Sequence, residues 1–372
     1  MVTQTDEELG AWLALAMLPT FGPRRMWDVA AGGDPAGEWS RLAGGIAPQS
    51  FPADPERLAQ WWAFAAGIDP MAELSRHREA GVSVTVHGDS GHPSIDLGDP
   101  HVPPVLFWRG RGERGDGSRR PAVGIVGTRR ATRAGLELAM ELGRDLAAAG
   151  CCVVSGLALG VDAAAHSGAM EVEGSWPVGV VGSGLDVVYP RANRALWDAV
   201  AERGVLCSEY PLGTQPAAWR FPARNRILVA LCDALVVVES HQRGGSLITA
   251  GIAGARGVPV LAVPGSVRSV ASVGTNRLIA DGCPPCLSVD DVLTAVGLTS
   301  TPQLPFDGSG AELPTLTDEA RLVLDAIGWV ARSVDELADA CPQLSLGSMS
   351  LAVAQLLATG VVVERDGRIE RR

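Results

Sequence analysis

The feature that most constrains the fold of this chain is a regular alternation of short apolar runs and helical runs between residues 121 and 297. Apolar runs without polar alternation are typical of strands that are buried on both faces of a sheet. Strands that alternate with helices predict an α/β fold with an extended, Rossmann-like, doubly wound parallel sheet. The predicted strands are 122–126, 151–154, 178–181, 205–207, 234–238 and 258–263, and the predicted helices are 134–149, 161–172, 193–203, 223–231 and 246–256.

The segments around this alternation predict further parts of the chain. Residues 1–78 alternate helical patterns with breaks, which predicts a small helical domain of the SAM or helix-hairpin-helix kind. Two short strand-like runs extend the central domain to residues 79–297. A stretch with several Pro, Gly and Ser residues at 298–314 predicts a linker. Three helical patterns and a hairpin within 315–372 predict a C-terminal winged helix.

The helical start contains a partial match to a turn that binds phosphate. Residues 13–24 resemble a helix-hairpin-helix, in which a glycine turn directs backbone N–H groups at a phosphate. Thr20 stands at the first glycine position, so the match is incomplete. A purely structural packing role for these helices is the alternative.

Charge and composition limit the classes of function. The net charge of −11 argues against a nonspecific DNA binder, because phosphate contacts need clustered cations. The chain has no lysine, so its 31 permanently basic side chains are arginines, which grip phosphate at two points and stack on bases. Seven scattered cysteines are typical of a protein whose thiols are reduced. The sequence contains no apolar run of about 18 residues, so no membrane span is predicted. With a polar, acidic N-terminal stretch, these features predict a cytoplasmic protein.

Small and polar residues follow the predicted strands, where a doubly wound sheet binds its ligands. Such ligands lie outside the carboxyl ends of the strands, and glycines there let the backbone approach an anion. The N-termini of the following helices favour negative charge. We therefore predict binding of a phosphate-rich ligand by residues of these turns, namely Gly127, Thr128, Arg129, Ser155, Gly156, Gly245, Ser246, Thr249 and Asn276.

An arginine- and aromatic-rich segment at 218–227 is the most informative stretch of the sequence. Its predicted binding residues are Arg220, Phe221, Arg224, Asn225 and Arg226. Arginine pairs with phosphate oxygens, and aromatic rings provide stacking surface for unpaired bases. Six of the fourteen arginines of residues 121–297 fall at 129–133 and 220–226, so local clustering overrides the acidic total. A solvated, helix-capping run of charges is the alternative.

Four residues in the turns favour a structural role. Asp162 and His166 are four residues apart and share a helix face. This spacing favours a hydrogen bond that anchors the turn over a metal site or an acid–base pair. Gly182 and Gly184 belong to a short Gly-Ser-Gly turn, which we also interpret as structural.

Neither a metal nor a cofactor is predicted. Cys283 and Cys286 have the spacing of a redox pair or of half a zinc site, but no second pair follows, so their role stays open. The turn after the first strand lacks the dinucleotide motif GxGxxG. The second strand ends at Ser155 and not at an acid that could hold a ribose, which argues against NAD.

Seven strings of the central domain are similar to the motifs of one family. In chain order they occupy 124–129, 155–166, 182–190, 208–211, 221–227, 245–250 and 262–265. Together they resemble the DNA-processing protein A family, also called DprA or Smf. Gly244 departs from the pattern, since a serine is usual at this position, and one hydroxyl contact could be weakened.

The resemblance implies a fold and a function. It implies a Rossmann domain that binds and protects incoming or exposed single-stranded DNA. It also implies a homodimer that helps to load the RecA recombinase during natural transformation. The residues at matching motif positions are Arg129, Ser155, Gly156, Arg224, Asn225, Arg226, Gly245, Ser246 and Thr249.

An enzyme with a related fold is the alternative function. Rossmann-type nucleotide phosphoribohydrolases carry Pro-Gly-Gly-x-Gly-Thr-x-x-Glu at a late turn, whereas the corresponding turn at 244–252 has no glutamate. The sequence also shows no nucleophile with a base partner, no phosphate-loop lysine and no acidic metal cluster. We therefore expect a binding protein without catalytic activity.

The acidic tail generates a testable expectation. Residues 311–372 hold ten acidic residues and six arginines, and the predicted recognition helix at 348–359 has no basic residue. A helix that reads DNA needs cations and polar base contacts, so we expect the winged helix to contact protein and not DNA. Deletion of 311–372 should leave the affinity for single strands unchanged in a binding titration. A collapse of affinity in a fragment that stays folded would contradict this expectation.

Overall fold

The computed structural model describes residues 4–89, 91–93, 102–111, 120–298, 316–328, 331–365 and 367–371. Apart from Leu298, the predicted linker 298–314 lies outside the described residues. The chain divides into two compact units, Met1–Ser300 and Thr301–Arg372, and each is treated by itself below.

The first unit begins with five helices whose starts are fixed by capping residues. They are α1 (Asp6–Met17), α2 (Pro23–Gly32), α3 (Pro35–Ala43), α4 (Pro55–Ala65) and α5 (Pro70–Glu79). Proline opens α2 to α5, where its missing N–H has no helical partner to lose. The carboxylates of Asp34, Asp54 and Asp69 accept hydrogen bonds from N–H groups of the following first turn.

These helices share a hydrophobic core with one end of the sheet. The rings of Phe21, Phe51 and Trp61 pack edge to face, with centroids 5.1 to 5.8 Å apart. The same cluster continues into Phe107 and Trp197 of the central part of the chain. The helical start is therefore packed into the first unit. The domain boundary after residue 78 stays a prediction.

A mixed eight-stranded sheet forms the centre of the first unit. Its strands are β1 (Val82–Val86), β2 (Val105–Gly110), β3 (Ala122–Val126), β4 (Cys152–Ser155), β5 (Val178–Val180), β6 (Val205–Ser208), β7 (Ala234–Val237) and β8 (Val260–Ala262). Their order across the sheet is β1-β2-β6-β5-β4-β3-β7-β8. Strands β3 to β8 are parallel, and β1 and β2 run antiparallel to their neighbours. The doubly wound α/β prediction is confirmed, with an antiparallel edge added.

The helices between and after these strands cover both faces of the sheet. They are α6 (Arg133–Ala148), α7 (Val161–Met170), α8 (Arg194–Arg203), α9 (Arg220–Ala230), α10 (Gly245–Ala255), α11 (Val273–Ala280) and α12 (Val289–Ala295). Alternate residues of β3 point to opposite faces: Ala122 packs with α9 and α10, and Val123 packs with α6, α7 and α12. Helix α9 begins three residues before the predicted start. The placement of Asn276 in a turn after a strand is wrong, because this residue lies within α11.

Connections leave the sheet in opposite directions at the neighbouring strands β3 and β7. Strand β3 continues through α6 to β4, whereas β7 continues through α10 to β8 on the other side. The loops after two such strands diverge and leave a crevice outside their carboxyl ends. This topological switch point positions the candidate site.

The second unit has three helices and a hairpin. They are α13 (Asp318–Ile327), α14 (Val334–Ala340), α15 (Leu346–Ala358), β9 (Val362–Arg365) and β10 (Arg368–Arg371). Leu324, Leu337, Leu356 and Ile369 form part of its own core. The order of elements is the predicted one, while the winged-helix assignment itself stays a prediction. No helix of the described residues in either unit is long and apolar enough to cross a membrane.

Helices α6 and α7 approach each other through glycines, which gives a prediction for stability. A Cβ at Gly143 would overlap the backbone of Ala165. We expect Gly143→Ala to lower the free energy of unfolding by about 1–3 kcal/mol, because overpacking forces backbone shifts. Urea unfolding followed by tryptophan fluorescence measures this in the first unit, since nine of the ten tryptophans precede residue 300.

The matched control for this substitution is Gly254→Ala in α10. The space around Gly254 is open, and it is also a helical glycine. We expect this change to be neutral or to stabilise the protein by up to about 1 kcal/mol, because alanine has the higher helix propensity. Equal effects of the two substitutions would contradict close packing at Gly143.

Candidate nucleic-acid interface

A cleft of about 610 Å³ opens at the switch point, between the loops after β3 and β7 and the start of α9. Nine of the predicted binding residues line it: Gly127, Thr128, Arg129, Phe221, Arg224, Asn225, Gly245, Ser246 and Thr249. They come from three separate stretches of the sequence. The sheet topology brings them together as the rule for doubly wound folds predicts.

A cation and two aromatic rings form a stack at the mouth of the cleft. The guanidinium of Arg129 lies 5.2 Å from the ring centroid of Phe221. The ring of Phe221 stacks on Tyr189, with centroids 5.1 Å apart and planes 27° from parallel. Arg129 is exposed, and so are Arg130 and Arg243 in the two flanking loops. This arrangement offers cations for phosphate and ring faces for unpaired bases.

The start of α10 faces the cleft with uncapped backbone. Gly244 precedes the helix and provides no side-chain cap, so the first N–H groups of α10 are available to an anion. The hydroxyl of Ser246 donates to the Ser240 hydroxyl at 2.8 Å, and that of Thr249 lies 3.3 Å from the carbonyl oxygen of Gly245. Backbone groups therefore provide the anion-binding capacity here, and these hydroxyls stabilise the helix start.

Glu239, which follows β7 closely, fixes the loop after β3. Its carboxylate accepts hydrogen bonds from the Thr132 N–H at 2.8 Å and from the Thr132 hydroxyl at 2.6 Å. Its backbone carbonyl accepts from the N–H of Thr128 at 2.8 Å. The sequence reasoning missed this role. An acid at the carboxyl end of a central strand was the available signal.

Arg224 forms part of the floor of the cleft and is almost fully buried. It is 5% exposed and donates a hydrogen bond to the carbonyl of Val180 at the end of β5. Its guanidinium occupies the space that a side chain at Gly156 would need. Burial lowers the pKa of Arg224 to about 10, and the nearby Asp162 opposes this shift, so the side chain is a cation at neutral pH.

Asp162 lies in the first turn of α7 and bonds to the backbone of the turn between β4 and α7. Its buried carboxylate accepts a hydrogen bond from the N–H of Gly156 at 3.1 Å. Burial raises the pKa of Asp162, while Arg224 and the backbone donors act in the opposite direction. His166 is fully buried on the same helix, and burial lowers its pKa to about 4, so its imidazole is neutral at pH 7.

Arg220 and Arg226 face away from the cleft. Arg226 forms an ion pair with Glu209, and its side chain is 13% exposed. Arg220 donates to the carbonyl of Gln215 and lies against two rings, 4.7 Å from the centroid of Tyr210 and 5.1 Å from that of Trp219. Helix α9 therefore divides the arginine cluster of the sequence between two surfaces.

Three further predicted residues lie outside the cleft lining. Ser155 is fully buried and donates its hydroxyl to the carbonyl of Ile125 at 2.6 Å. Gly156 is buried against Arg224. Asn276 belongs to α11, where its amide exchanges two hydrogen bonds with the backbone of Gly265, at 2.9 and 3.1 Å. These residues shape loops at the carboxyl edge of the sheet.

The two predicted turn glycines lie where backbones meet closely. A Cβ at Gly182 would lie 3.3 Å from the carbonyl oxygen of Arg220, and one at Gly184 would lie 2.6 Å from that of Pro211. Tyr189, which ends the same loop, belongs to the aromatic stack, and the sequence reasoning missed it as a binding residue. The feature of the sequence that indicates this role is a tyrosine at the end of the loop that follows a strand.

The cysteine pair shows no metal site. Across the described parts of the chain, no group of three or more His, Cys, Asp or Glu residues could hold a metal ion. Cys283 and Cys286 are both thiols. Burial raises the pKa of both, that of Cys286 to about 12, so Cys286 is protonated at neutral pH. The role of the pair stays open.

Comparison with known proteins identifies relatives of this chain. A family described as DNA recombination-mediator protein A matches residues 83–297. A Synechocystis protein named Smf is 33% identical over 341 residues, which cover 82% of this chain and 84% of that protein. A Mycobacterium tuberculosis protein named as a putative DNA processing protein DprA is 38% identical over 269 residues, with 71% and 68% coverage.

A solved structure also matches. The X-ray structure of DNA processing protein A from Streptococcus pneumoniae is 30% identical, with a TM-score of 0.63 over 79% of this chain and 98% of that chain. The fold defines the chain as a Rossmann-like α/β protein. The chain belongs to the DNA recombination-mediator protein A family, whose members are named DprA or Smf.

Proposed function

We propose that this protein binds single-stranded DNA in the cleft and protects it during recombination. The observation that carries the proposal is the stack of Arg129, Phe221 and Tyr189 beside the uncapped start of α10. The cations and N–H groups provide phosphate contacts, and the rings provide base contacts. Both are needed for a strand whose bases are unpaired.

The same geometry favours single strands over duplex. A base can join the stack of Phe221 and Tyr189 only when it has left its own base stack, which costs little in an unpaired strand. A duplex offers phosphates to Arg129 but keeps its bases inside. Phosphate contacts alone give weaker binding, so the proposal requires a preference for single strands.

The buried Arg224 contributes at longer range. It is a cation at neutral pH, and its hydrogen bond to Val180 keeps it in place in the floor of the cleft. Its charge acts through a protein interior in which electrostatic interactions are screened less than in water. Asp162 offsets part of this charge, and the remainder favours a phosphate in the cleft.

The proposal includes delivery of the bound strand to RecA in the cytoplasm during natural transformation. Membership of a recombination-mediator family supports this step. The test is the assembly of RecA filaments on single strands that are already coated with single-stranded-DNA-binding protein. Addition of this protein should shorten the lag, and an unchanged lag would contradict the RecA part of the proposal.

The proposal contains no catalytic step. The carboxylate nearest in sequence to the late turn is Glu239, and both of its oxygens accept hydrogen bonds from Thr132. A phosphoribohydrolase needs a glutamate that is available to the ribose of its substrate. Release of free base from nucleoside monophosphates would contradict this conclusion and favour the enzyme.

We expect Arg129→Ala to weaken binding of single strands and to reduce its salt dependence. For each phosphate that the variant no longer neutralises, the slope of log K against log salt concentration should change by about 0.7 for a single strand. The measurement is a salt titration with single-stranded and duplex oligonucleotides. Arg144→Ala is the matched control, because Arg144 is also an exposed arginine but lies on α6 beside Asp145, outside the cleft lining.

Two results would contradict the proposed cleft. One is an unchanged slope for Arg129→Ala, which would place the phosphates elsewhere. The other is equal affinity of the unmodified protein for duplex and single strands, which would remove the role of the aromatic stack.

We further propose that the protein is a homodimer that pairs through the segments after β8. Apolar side chains are exposed there: Val267 is 90% exposed, Val270 is 69% and Leu287 is 73%. The residue Pro285 forms a bridge to Ala262 of β8, so Leu287 lies just beyond this edge of the sheet. Large exposed apolar side chains that follow an edge strand are typical of an interaction surface.

Changing Val267 and Val270 together to Glu should convert dimer to monomer, because buried carboxylates in an apolar interface are costly. Light scattering coupled to size exclusion measures the mass. Met71→Glu on α5 is the control, since Met71 is also an exposed apolar residue. A dimer that survives the double change would exclude this surface.

A further inference from the structure

A second groove lies beside the cleft, on the other face of α9. We call it the tryptophan groove. Its volume is about 720 Å³. One wall is the turn between α1 and α2, which includes Thr20 and Gly22, and the opposite wall includes Glu209, Trp219 and Arg220. Thr20 has a φ of 60°, a left-handed conformation that glycine adopts more easily.

The groove presents a ring and a cation in a fixed stack. Trp219 is 63% exposed, which is unusual for so large an apolar side chain. Arg220 lies 5.1 Å from the Trp219 centroid and 4.7 Å from that of Tyr210, and it also donates to the Gln215 carbonyl. The pattern of an arginine against aromatic rings is the same as that of Arg129 and Phe221 in the cleft.

A buried acceptor in the same groove is incompletely satisfied. The Glu209 side chain is 6% exposed, and one carboxylate oxygen pairs with Arg226. No donor among the described residues meets the other oxygen, Oε1, at full hydrogen-bond geometry, and the Tyr210 hydroxyl lies beside the carboxylate. A buried acceptor without a well-placed donor costs free energy, so the groove favours a ligand with an N–H group. Unpaired bases expose N–H groups that base pairing would otherwise occupy.

We propose that the tryptophan groove binds a further base of the same single strand whose phosphates lie in the cleft. This inference rests on the proposed function. The base stacks on Trp219, and its N–H donates to Oε1 of Glu209. Phe221 and Trp219 are two residues apart at the start of α9, so the strand passes over this helix end from one ring to the other. The groove thereby lengthens the binding site beyond the cleft.

The test compares short and long oligothymidylates on the full-length protein. A dinucleotide is too short to occupy both surfaces at once, whereas an oligomer of about 16 nucleotides, at the upper end of single-strand site sizes, covers both. Trp219→Ala should weaken binding of the long oligomer at least about fivefold, the loss expected for one base–aromatic stack, and leave the short one unchanged. Trp219→Phe should restore most of the loss, because phenylalanine keeps a ring face. Ile46→Ala is the control, since Ile46 is exposed and lines neither surface.

A second arm removes bases from the DNA. Replacing successive nucleotides of the long oligomer by abasic residues should weaken binding to the unmodified protein. At the position whose base occupies the groove, the abasic replacement should weaken binding to the unmodified protein but should not weaken binding to Trp219→Ala any further. This coupling identifies a direct contact between ring and base, which a purely structural role of Trp219 would not produce.

The outcomes separate this inference from the proposed function. No binding of single strands by the unmodified protein overturns the proposed function, and this inference with it. Normal binding of both oligomers by Trp219→Ala overturns this inference alone. If the effects of Trp219→Ala and of abasic substitution are additive at every position, this inference is also overturned. The groove would then be a binding site for a protein segment.

Discussion

A buried guanidinium holds the site together. Arg224 reaches from α9 across the carboxyl ends of the central strands, donates to Val180 after β5 and fills the space above Gly156 after β4. A buried cation needs partners, and the carboxylate of Asp162, itself bound to the N–H of Gly156, supplies the compensating charge. The start of α9 is therefore fixed to the sheet, and Phe221 and Asn225 are fixed with it at the edge of the cleft.

The glycines of the motifs follow from this constraint. Gly156 leaves room for the guanidinium, and Gly182 leaves room for the backbone where α9 begins. Gly244 has a different role, because it starts α10 without a side-chain cap and leaves the helix N–H groups to an anion. The family's usual serine at this position would add a hydroxyl. In the proposed cleft, the anion contacts then come from the backbone N–H groups of α10 and from Arg129.

The sequence was sufficient to predict the sheet. Apolar runs of three to five residues can be buried only as central strands, and each observed parallel strand lies within two residues of its predicted bounds. The turns that approach the ligand could also be predicted, because topology places the carboxyl ends of parallel strands at one edge. The antiparallel β1 and β2 could not be placed in this way, since pairing direction depends on long-range contacts.

The faces of α9 could not be predicted. The sequence places Arg220, Arg224 and Arg226 in one cluster, but these residues point in different directions from the helix that begins at Arg220. Arg220 lies in a groove, Arg224 lies in the interior, and Arg226 forms an ion pair with Glu209. A shift of a few residues in the helix start changes which side chain faces which surface, and periodicity does not fix that start. Tyr189 was missed for a related reason, since its contact with Phe221 joins loops far apart in sequence.

The central claim is that unpaired bases meet the aromatic stack at the carboxyl edge of the sheet. Photocrosslinking with single strands that carry 5-iodouracil tests this most directly, because the excited base reacts with an aromatic side chain in contact with it. Peptide mass spectrometry of the crosslinked protein should identify Phe221 or Tyr189. Crosslinks confined to the second unit, Thr301–Arg372, with none at the stack, would contradict the claim.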